Sequence, residues 1–524
     1  MTTRRITSGD ELKYLNGFDF VFRRRLIPSS YPPSPDRSIC FDSTHLTATG
    51  IFVRTKPLPG LKLGQVSLTL YPSGRGGFPW AKASPSLCRQ RHRVWPRGEW
   101  RADSVPAGKE ISGFLAALET TQYLPEAGMQ VYQRKLLDHL VRHAVAQTDF
   151  YCDRLHPLFR PDGTLDWARW GEIPILTRAE AQTHFATLRA QALPRAAGAV
   201  SEDTSSGSTG RPLRFLTNAL QDLASACCSE RFFTWHGLDP DGRYPKGHDV
   251  IGWRAGYPAS RAIDLSIVTP IEQQIAWLER VRPRYLASYP SNLRELARHV
   301  ARCGSDLRFD AVMSFGEMVT DDVRAEVEAV FTRPVLDRYG SSEVGHIAGT
   351  CPHSRQHHVS SEVVLLKLVD EDGQPVPAGT VGRVVVTPFY NLAMPFIRYE
   401  LGDYAVASVE PCGCGRSLPV LERIMGRTRN IFRFADGSQV WPVLFSRDLQ
   451  GFVPNRQFQV VQRDARTVEF RFVPEEEGQA NDLPALTAYM RSRLHPDIVV
   501  TLAPVAMIAR SAGGKFEDCV SLLD

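Results

Sequence analysis

Between residues 218 and 331 short apolar segments alternate with amphipathic stretches, and this alternation limits the fold more than any other feature of the chain. Helical spacing runs over about 218–234 and 271–280. It returns after Thr320-Asp-Asp, where Val323, Val327, Val330 and Phe331 share a face. Between these stretches lie Asp249-Val-Ile-Gly-Trp253, Tyr285-Leu-Ala-Ser288 and Ala311-Val-Met-Ser-Phe315, which read as strands. Strands alternating with helices predict an α/β domain with layered helices and a largely parallel sheet. Ligands of such sheets sit at the C-terminal ends of strands, so the loops after 315 and after 338 are site candidates.

The flanks differ. Upstream, Tyr132, Leu136, Leu137, Leu140, Val141, Ala144 and Val145 predict a helix over about 129–147. Ile173-Pro-Ile-Leu-Thr-Arg178 reads as a short strand running into a helix, with Thr177 as N-cap. Downstream of 357 the pattern is β: Val363–Val369, Gly382–Thr387 and Arg398–Tyr404, with Asp372-Gly373 as a hairpin turn. Residues 427–524 hold the strand patterns Phe458–Val461, Thr467–Val473 and Ile498–Leu502 around a helix near 483–494, enough for a small α+β domain. Residues 1 to about 120 are rich in Pro, Arg and aromatics, and Gln65–Tyr71 alternates like a strand. They form an extra β-rich segment whose role the sequence does not state. Its Arg89, Arg91, His92, Arg93 and Arg97 cluster reads first as a solvated surface.

At 524 residues the chain is too long for one ordinary core. Its 62 basic and 57 acidic residues give a charge of +5, too mild to argue for nucleic acid. No run of about 18 apolar residues exists, so no membrane partner is expected. Ten scattered cysteines fit a reducing compartment, and a cytoplasmic location is expected.

Asp203 to Pro212 reads D-T-S-S-G-S-T-G-R-P. Glycine lets a backbone turn tightly and approach a ligand. Successive N–H groups in such a turn make a concave anion site, to which hydroxyls add donors. A flexible Ser/Gly linker is the alternative, and the Walker pattern is absent. Further stations follow in order: Arg338-Tyr-Gly-Ser-Ser-Glu343, Phe396-Ile-Arg-Tyr-Glu-Leu-Gly-Asp403, Gly426-Arg427 and Gly513-Gly-Lys515. Each alone is weak, since a lone carboxylate after a strand is more often a cap or a solvated turn.

Together these stations resemble the adenylate-forming superfamily, and most closely its branch of phenylacetate-CoA ligase and CapK-like proteins. Ile173–Thr177, Tyr289-Pro-Ser291, Ser314-Phe-Gly-Glu317, Met394–Tyr399 and Cys412-Gly-Cys-Gly-Arg416 belong to the likeness, which covers about 120–524. It implies a large adenylation domain over 121–426 and a small mobile domain over 427–524. The first 120 residues lie outside it. It implies that a carboxylic acid attacks the α-phosphate of ATP, giving an acyl-adenylate and pyrophosphate, with CoA as acceptor. By this resemblance Ser205, Ser206, Gly207, Ser208, Thr209, Gly210 and Arg211 hold the triphosphate. Glu343 holds Mg²⁺, and Asp403 binds the ribose hydroxyls. Tyr339, Gly340 and Ser341 lie at the nucleotide, Arg427 acts at the hinge, and Lys515 meets the reacting oxygens.

The sequence departs from the family at Arg211 and Leu213, where lysines are usual, and at Thr428, Arg429 and Asn430, where acidic residues are usual. The second set falls where the acceptor should enter, so an amine or other non-CoA acceptor is an alternative, as is a non-catalytic nucleotide-binding scaffold. Cys351, His358, Cys412 and Cys414 suit a closed structural Zn²⁺ site, a pattern some members of the branch share. His353 and His357 are rival ligands, and free cysteines in a reduced cytosol are the alternative. Trp253, Tyr257, Tyr289, Phe315 and Gly316, with Phe232 and Trp235, are candidates for an aromatic-sized acid pocket, although core packing would explain each. A homodimer is one assembly open to the chain.

Overall fold

The computed structural model describes residues 109–205, 212–238, 250–251, 262–263, 265–442, 444–476, 478–511 and 515–523. The arginine cluster and most of the N-terminal segment expected to be β-rich therefore lie outside the described residues, but its last part, 109–120, is helical, belonging to the helix Lys109–Thr121. Among the described residues no helix is long and apolar enough to cross a membrane.

One mixed sheet of eleven strands forms the backbone of the larger part. From one edge its order is Val364–Val369, Val381–Pro388, Tyr399–Ala407, Val420–Arg427, His357–Val359, Gly345–Thr350, Val335–Ser341, Ala311–Phe315, Tyr285–Ser288, Val250–Ile251 and Ala262–Ile263. The last five run parallel, as the strand–helix alternation predicts. The remaining pairings are antiparallel, so the β-patterned region after 357 extends the same sheet.

Successive side chains of a strand point to opposite faces, and both faces of the parallel half are covered. Leu286, Val312 and Val335 pack under Ile271–Val281, Pro290–Cys303 and Asp321–Phe331. Tyr285, Ala287, Ala311, Met313 and Leu336 face Phe232 and Phe233 of the helix Ala219–Trp235. The antiparallel half shares a core with Lys109–Thr121 and Glu126–Gln147, through Leu118, Leu140, Val141 and Phe396.

One local expectation changes. Ile173–Leu176 is not a strand: Pro174 lacks a ladder donor, and the segment keeps one bridge, Leu176 to Tyr399. Thr177 does cap the next helix, accepting from the Glu180 N–H at 3.2 Å, while Glu180 accepts from the Thr177 N–H at 2.8 Å. The hairpin turn at Asp372-Gly373 forms: the Gly373 N–H donates to Asp370 O at 3.1 Å, the Asp370 N–H to Gln374 O at 2.8 Å, and Val369 bridges Pro375 before the strand Val381–Pro388 takes up the ladder.

The C-terminal part builds a separate sheet in the order Val499–Pro504, Thr467–Pro474, Asn455–Gln462, Cys519–Ser521. Its core unites Phe458, Val460, Phe470 and Phe472 with Leu486 and Met490 of the helix Leu483–Arg493. This unit rests on one stripe of the helix Pro290–Cys303. Arg294, Glu295 and Arg298 follow Ser291 at three, four and seven residues and so lie along one side of the helix with it. Arg510 donates to Ser291 Oγ (2.7 Å) and Glu295 Oε1 (3.3 Å). Arg294 donates to Asp518 at 2.9 Å, and Arg298 to Ser446 Oγ at 2.6 Å. A stripe of charges that would pass for a solvated face is a docking surface.

Arg231 and Glu362 form a fully buried ion pair at 2.5 Å. Arg231 also donates to Leu118 O at 3.2 Å, and Thr121 Oγ1 donates to Glu362 at 3.2 Å, which ties the first helix to the sheet. Removing one partner leaves the other charge buried and uncompensated. Glu362→Ala is therefore expected to lower stability by about 3–5 kcal/mol, read from the denaturant midpoint. Replacing both residues with apolar ones is expected to cost less.

Candidate active site

The strand Val200–Thr204 pairs with Arg214–Asn218, and the hydroxyl-rich loop joins them. Ser205 closes the loop's mouth: its N–H donates to Leu213 O (2.9 Å), and its Oγ accepts from the Leu213 N–H (3.0 Å). Ser206, Gly207, Ser208, Thr209, Gly210 and Arg211 lie outside the described residues.

Arg178, the first residue of the helix capped by Thr177, reaches this mouth. It donates to Ser205 Oγ at 2.5 Å, and its other terminal nitrogen stands 3.5 Å from Glu343 Oε1. Tyr399 donates to the same oxygen at 3.1 Å. Glu343 is thus buried and held from two sides in the turn after the strand Val335–Ser341. Ser341 steadies that turn by accepting from the Val344 N–H at 3.3 Å. Gln221 donates to Val344 O at 2.5 Å, which fixes the helix Ala219–Trp235 against it.

Asp403 lies two strands from the turn's far side, also buried. One oxygen accepts from Tyr339 Oη (2.8 Å) and the other stands 3.4 Å from Arg427 Nε. Burial raises its pKa above the ordinary carboxylate value, and Arg427, Tyr339 and Lys515 offset part of that rise. Tyr339 therefore links the strand Val335–Ser341 to the Asp403 carboxylate, while Gly340 permits the backbone to press on Gly345 O, where a Cβ would collide.

Lys515 enters from the C-terminal unit. Its Cε comes within 3.5 Å of where a Cβ on Gly316 would lie, and Tyr289 Cε1 within 2.9 Å. Gly316 has φ +78°, so both its conformation and its crowding require glycine. The ammonium is influenced by Arg427, Asp403, Glu317 and Glu343, and burial, then Arg427, lowers its pKa below the ordinary 10.5. The neighbouring Glu317 accepts from the Ser291 N–H (3.0 Å) and from the Phe516 N–H (2.5 Å). Burial raises its pKa. Ser205, Glu343, Asp403, Arg427 and Lys515 thus converge on one site. Arg178, Tyr399 and Glu317 join them without having been singled out as site residues, although each lies in a quoted motif.

The aromatic candidates divide. Tyr289 and Phe315 stand together, ring centroids 5.3 Å apart, beside Gly316. Trp253 and Tyr257 lie outside the described residues. Phe232 and Trp235 are not pocket residues. Phe232 is fully buried beneath Gly349, whose Cβ would meet its ring at 2.5 Å. Trp235 stands 5.8 Å from the His358 ring and donates to Gln122 Oε1 at 2.9 Å.

At that corner the donor atoms of Cys351, His358, Cys412 and Cys414 all lie within 4.8 Å of one another. Cys351 and Cys412 sulfurs are 3.6 Å apart, and His358 Nε2 is 3.2 Å from Cys414 Sγ. His358 Nδ1 is 3.2 Å from Leu418 O, which orients the ring. The rival His357 is taken by Asp337 at 2.9 Å.

The family model described as "AMP-binding enzyme" matches residues 202–390. The phenylacetate-coenzyme A ligase of Thermus thermophilus is 25% identical over 445 residues, spanning 76% of this chain and 98% of that relative. Protein CapK of Staphylococcus aureus is 24% identical over 329 residues, 59% of this chain and 71% of its own length. A 2-hydroxyisobutyryl-CoA ligase crystallised with an acyl-adenylate shares the fold at a TM-score of 0.60 and 16% identity, covering 83% of this chain and 96% of its own. Together with the mixed sheet, these matches support an adenylate-forming ligase similar to the phenylacetate-CoA ligase-like branch of that superfamily.

Proposed function

We propose that the protein activates a small or aryl carboxylic acid with ATP and transfers the acyl group to CoA. The observation that carries this reading is that the Lys515 stem rests on Gly316, within electrostatic reach of Asp403 and Glu343. A carboxylate oxygen of the acid bonds to the α-phosphorus, the bond to the bridging oxygen breaks, and pyrophosphate leaves. In the second step the CoA thiol attacks the acyl carbon, loses its proton, and AMP departs.

The chain's own contribution is placement and charge. Lys515 neutralises oxygens of the acid and the α-phosphate as they approach. Asp403 accepts the ribose hydroxyls, exchanging Tyr339 or Arg427 for them. Ser205 and the loop that follows it hold the phosphate tail, with Arg178 behind. Glu343 offers a buried oxygen donor, which suits Mg²⁺, and that ion when bound would spread the charge of the phosphates. Residues 121–426 would act as the nucleotide and acid domain and 427–524 as the moving one. The Cys351, His358, Cys412 and Cys414 set fits a structural Zn²⁺ in donor type and spacing.

Pyrophosphate release with a panel of acids tests the first step. Mass analysis of products with CoA or with amines tests the acceptor. A protein that releases no pyrophosphate with any acid, yet binds ATP, would be a nucleotide-binding scaffold instead. Lys515→Met is expected to lower pyrophosphate release by about a hundred-fold or more while ATP binding persists. An unchanged rate rejects the role given to Lys515.

The same variant carries a stability signature. Burial disfavours the ammonium, so a charged Lys515 costs folding stability at neutral pH. That cost fades as pH rises towards 10.5, where the ammonium is lost in the unfolded chain too. Lys515→Met is expected to melt higher than the wild type at neutral pH, with the gap closing as pH rises to that value. For the metal, Cys412→Ser is expected to lose bound zinc and melt at a lower temperature. Elemental analysis that finds the wild-type protein free of zinc dismisses the site.

A further inference from the structure

The arginines at the charged contacts of this molecule are paired: Arg231 with Glu362, Arg294 with Asp518, Arg298 with Glu326, Arg510 with Glu295. Arg338 is different. Among the described residues it has no hydrogen-bond or ion-pair partner, and its Nε is buried without one. A guanidinium carries five donors and cannot shed its charge. Leaving such a group half-buried and unbonded is costly unless something else completes it.

Its position says where that completion would come from. Arg338 lies opposite Phe315 in the parallel pairing of the two strands, and Phe315 precedes Gly316, where the Lys515 stem rests. Its guanidinium carbon stands 5.6 Å from the Phe233 ring centroid and 5.8 Å from that of Phe315. These contacts steady the cation without using its in-plane donors. His346 shares this face, near Phe232 at 6.4 Å between ring centroids. Burial, then the charge of Arg338, pushes its pKa down to about 3, so it stays neutral. The wall leading away from Lys515 is therefore aromatic and carries a fixed, uncommitted positive charge.

Resting on the adenylation reading above, we propose that Arg338 selects the acid. It binds a second negatively charged group at the far end of a flat, aromatic body that lies against the partly exposed Phe315. One carboxylate reacts beside Lys515, and the other anion takes the guanidinium donors, for which a planar fork is suited. The substrate class is a dianionic aromatic acid rather than a simple aryl acid.

The test compares benzoate and phenylacetate with their meta- and para-carboxy derivatives in pyrophosphate release by the full chain. The wild type is expected to favour the dianions by about ten-fold or more in kcat/KM. In Arg338→Met that ratio is expected to fall to one or below, chiefly through KM, and in Arg338→Lys to an intermediate value. A cation that only pins the two rings would change stability and leave the ratio alone. A wild type without the preference, or a ratio that survives in Arg338→Met, overturns the proposal. If Arg338→Met does not fold, the wild-type ratio and the Arg338→Lys ratio decide. If no acid in the panel yields pyrophosphate, adenylation is what fails. Calorimetric binding of terephthalate to wild type and Arg338→Lys then judges Arg338, and equal affinities overturn its role.

Discussion

Glu317 accepts the N–H of Ser291 with one carboxylate oxygen and the N–H of Phe516 with the other. Ser291 opens the helix on which the C-terminal unit rests, and Phe516 follows Lys515. Two adjacent residues at the end of one strand, Gly316 and Glu317, thus meet two adjacent residues of a distant segment. Glycine makes room for the lysine stem, and the carboxylate fixes the backbone beside it. Because Glu317 is buried, losing either N–H would strand its charge, so the contact tolerates little slack. Arg510, Arg294 and Arg298 spread the docking over two turns of helix, while Glu317 and Ser511 fix the backbone at Lys515.

The site gathers charges that burial opposes. Asp403, Glu317 and Lys515 are all shifted towards their neutral forms by desolvation. None would choose this place in water. The cores on both sides of the sheet hold them there; under the proposed function a phosphate would partner Lys515 and sugar hydroxyls would partner Asp403. Such preorganisation is what charge-stabilising catalysis needs, since little is left to rearrange when the reacting oxygens arrive.

The sequence made the parallel strands legible because apolar runs separated by helical spacing have few other solutions. It also exposed Glu343 and Asp403, since each closes a strand-like segment near a glycine. It hid Arg178, because a helix-capping neighbourhood explains the residue without reference to Glu343. It hid the docking stripe, because charges at helical spacing look the same whether water or another domain covers them. Phe232 and Trp235 were misread because aromatic type alone does not distinguish a ring packed in a core, as Phe232 is beneath Gly349 and Trp235 is beside the His358 ring, from one lining a cavity. The choice between His357 and His358 needed coordinates, since Asp337 claims the first through a contact between strands.

The corner of three thiols and an imidazole has a consequence for the sheet as a whole. His357–Val359 is three residues long and meets the strand Val420–Arg427 through only two residue pairs, Val420 with His358 and Leu421 with His357. This is the narrowest seam between the half carrying Glu343 and the half carrying Asp403. Cys351 and His358 come from one bank, Cys412 and Cys414 from the other. Loosening that rivet would let the two plates slip past each other, and the gap between Glu343 and Asp403 would widen although no residue lining it had changed.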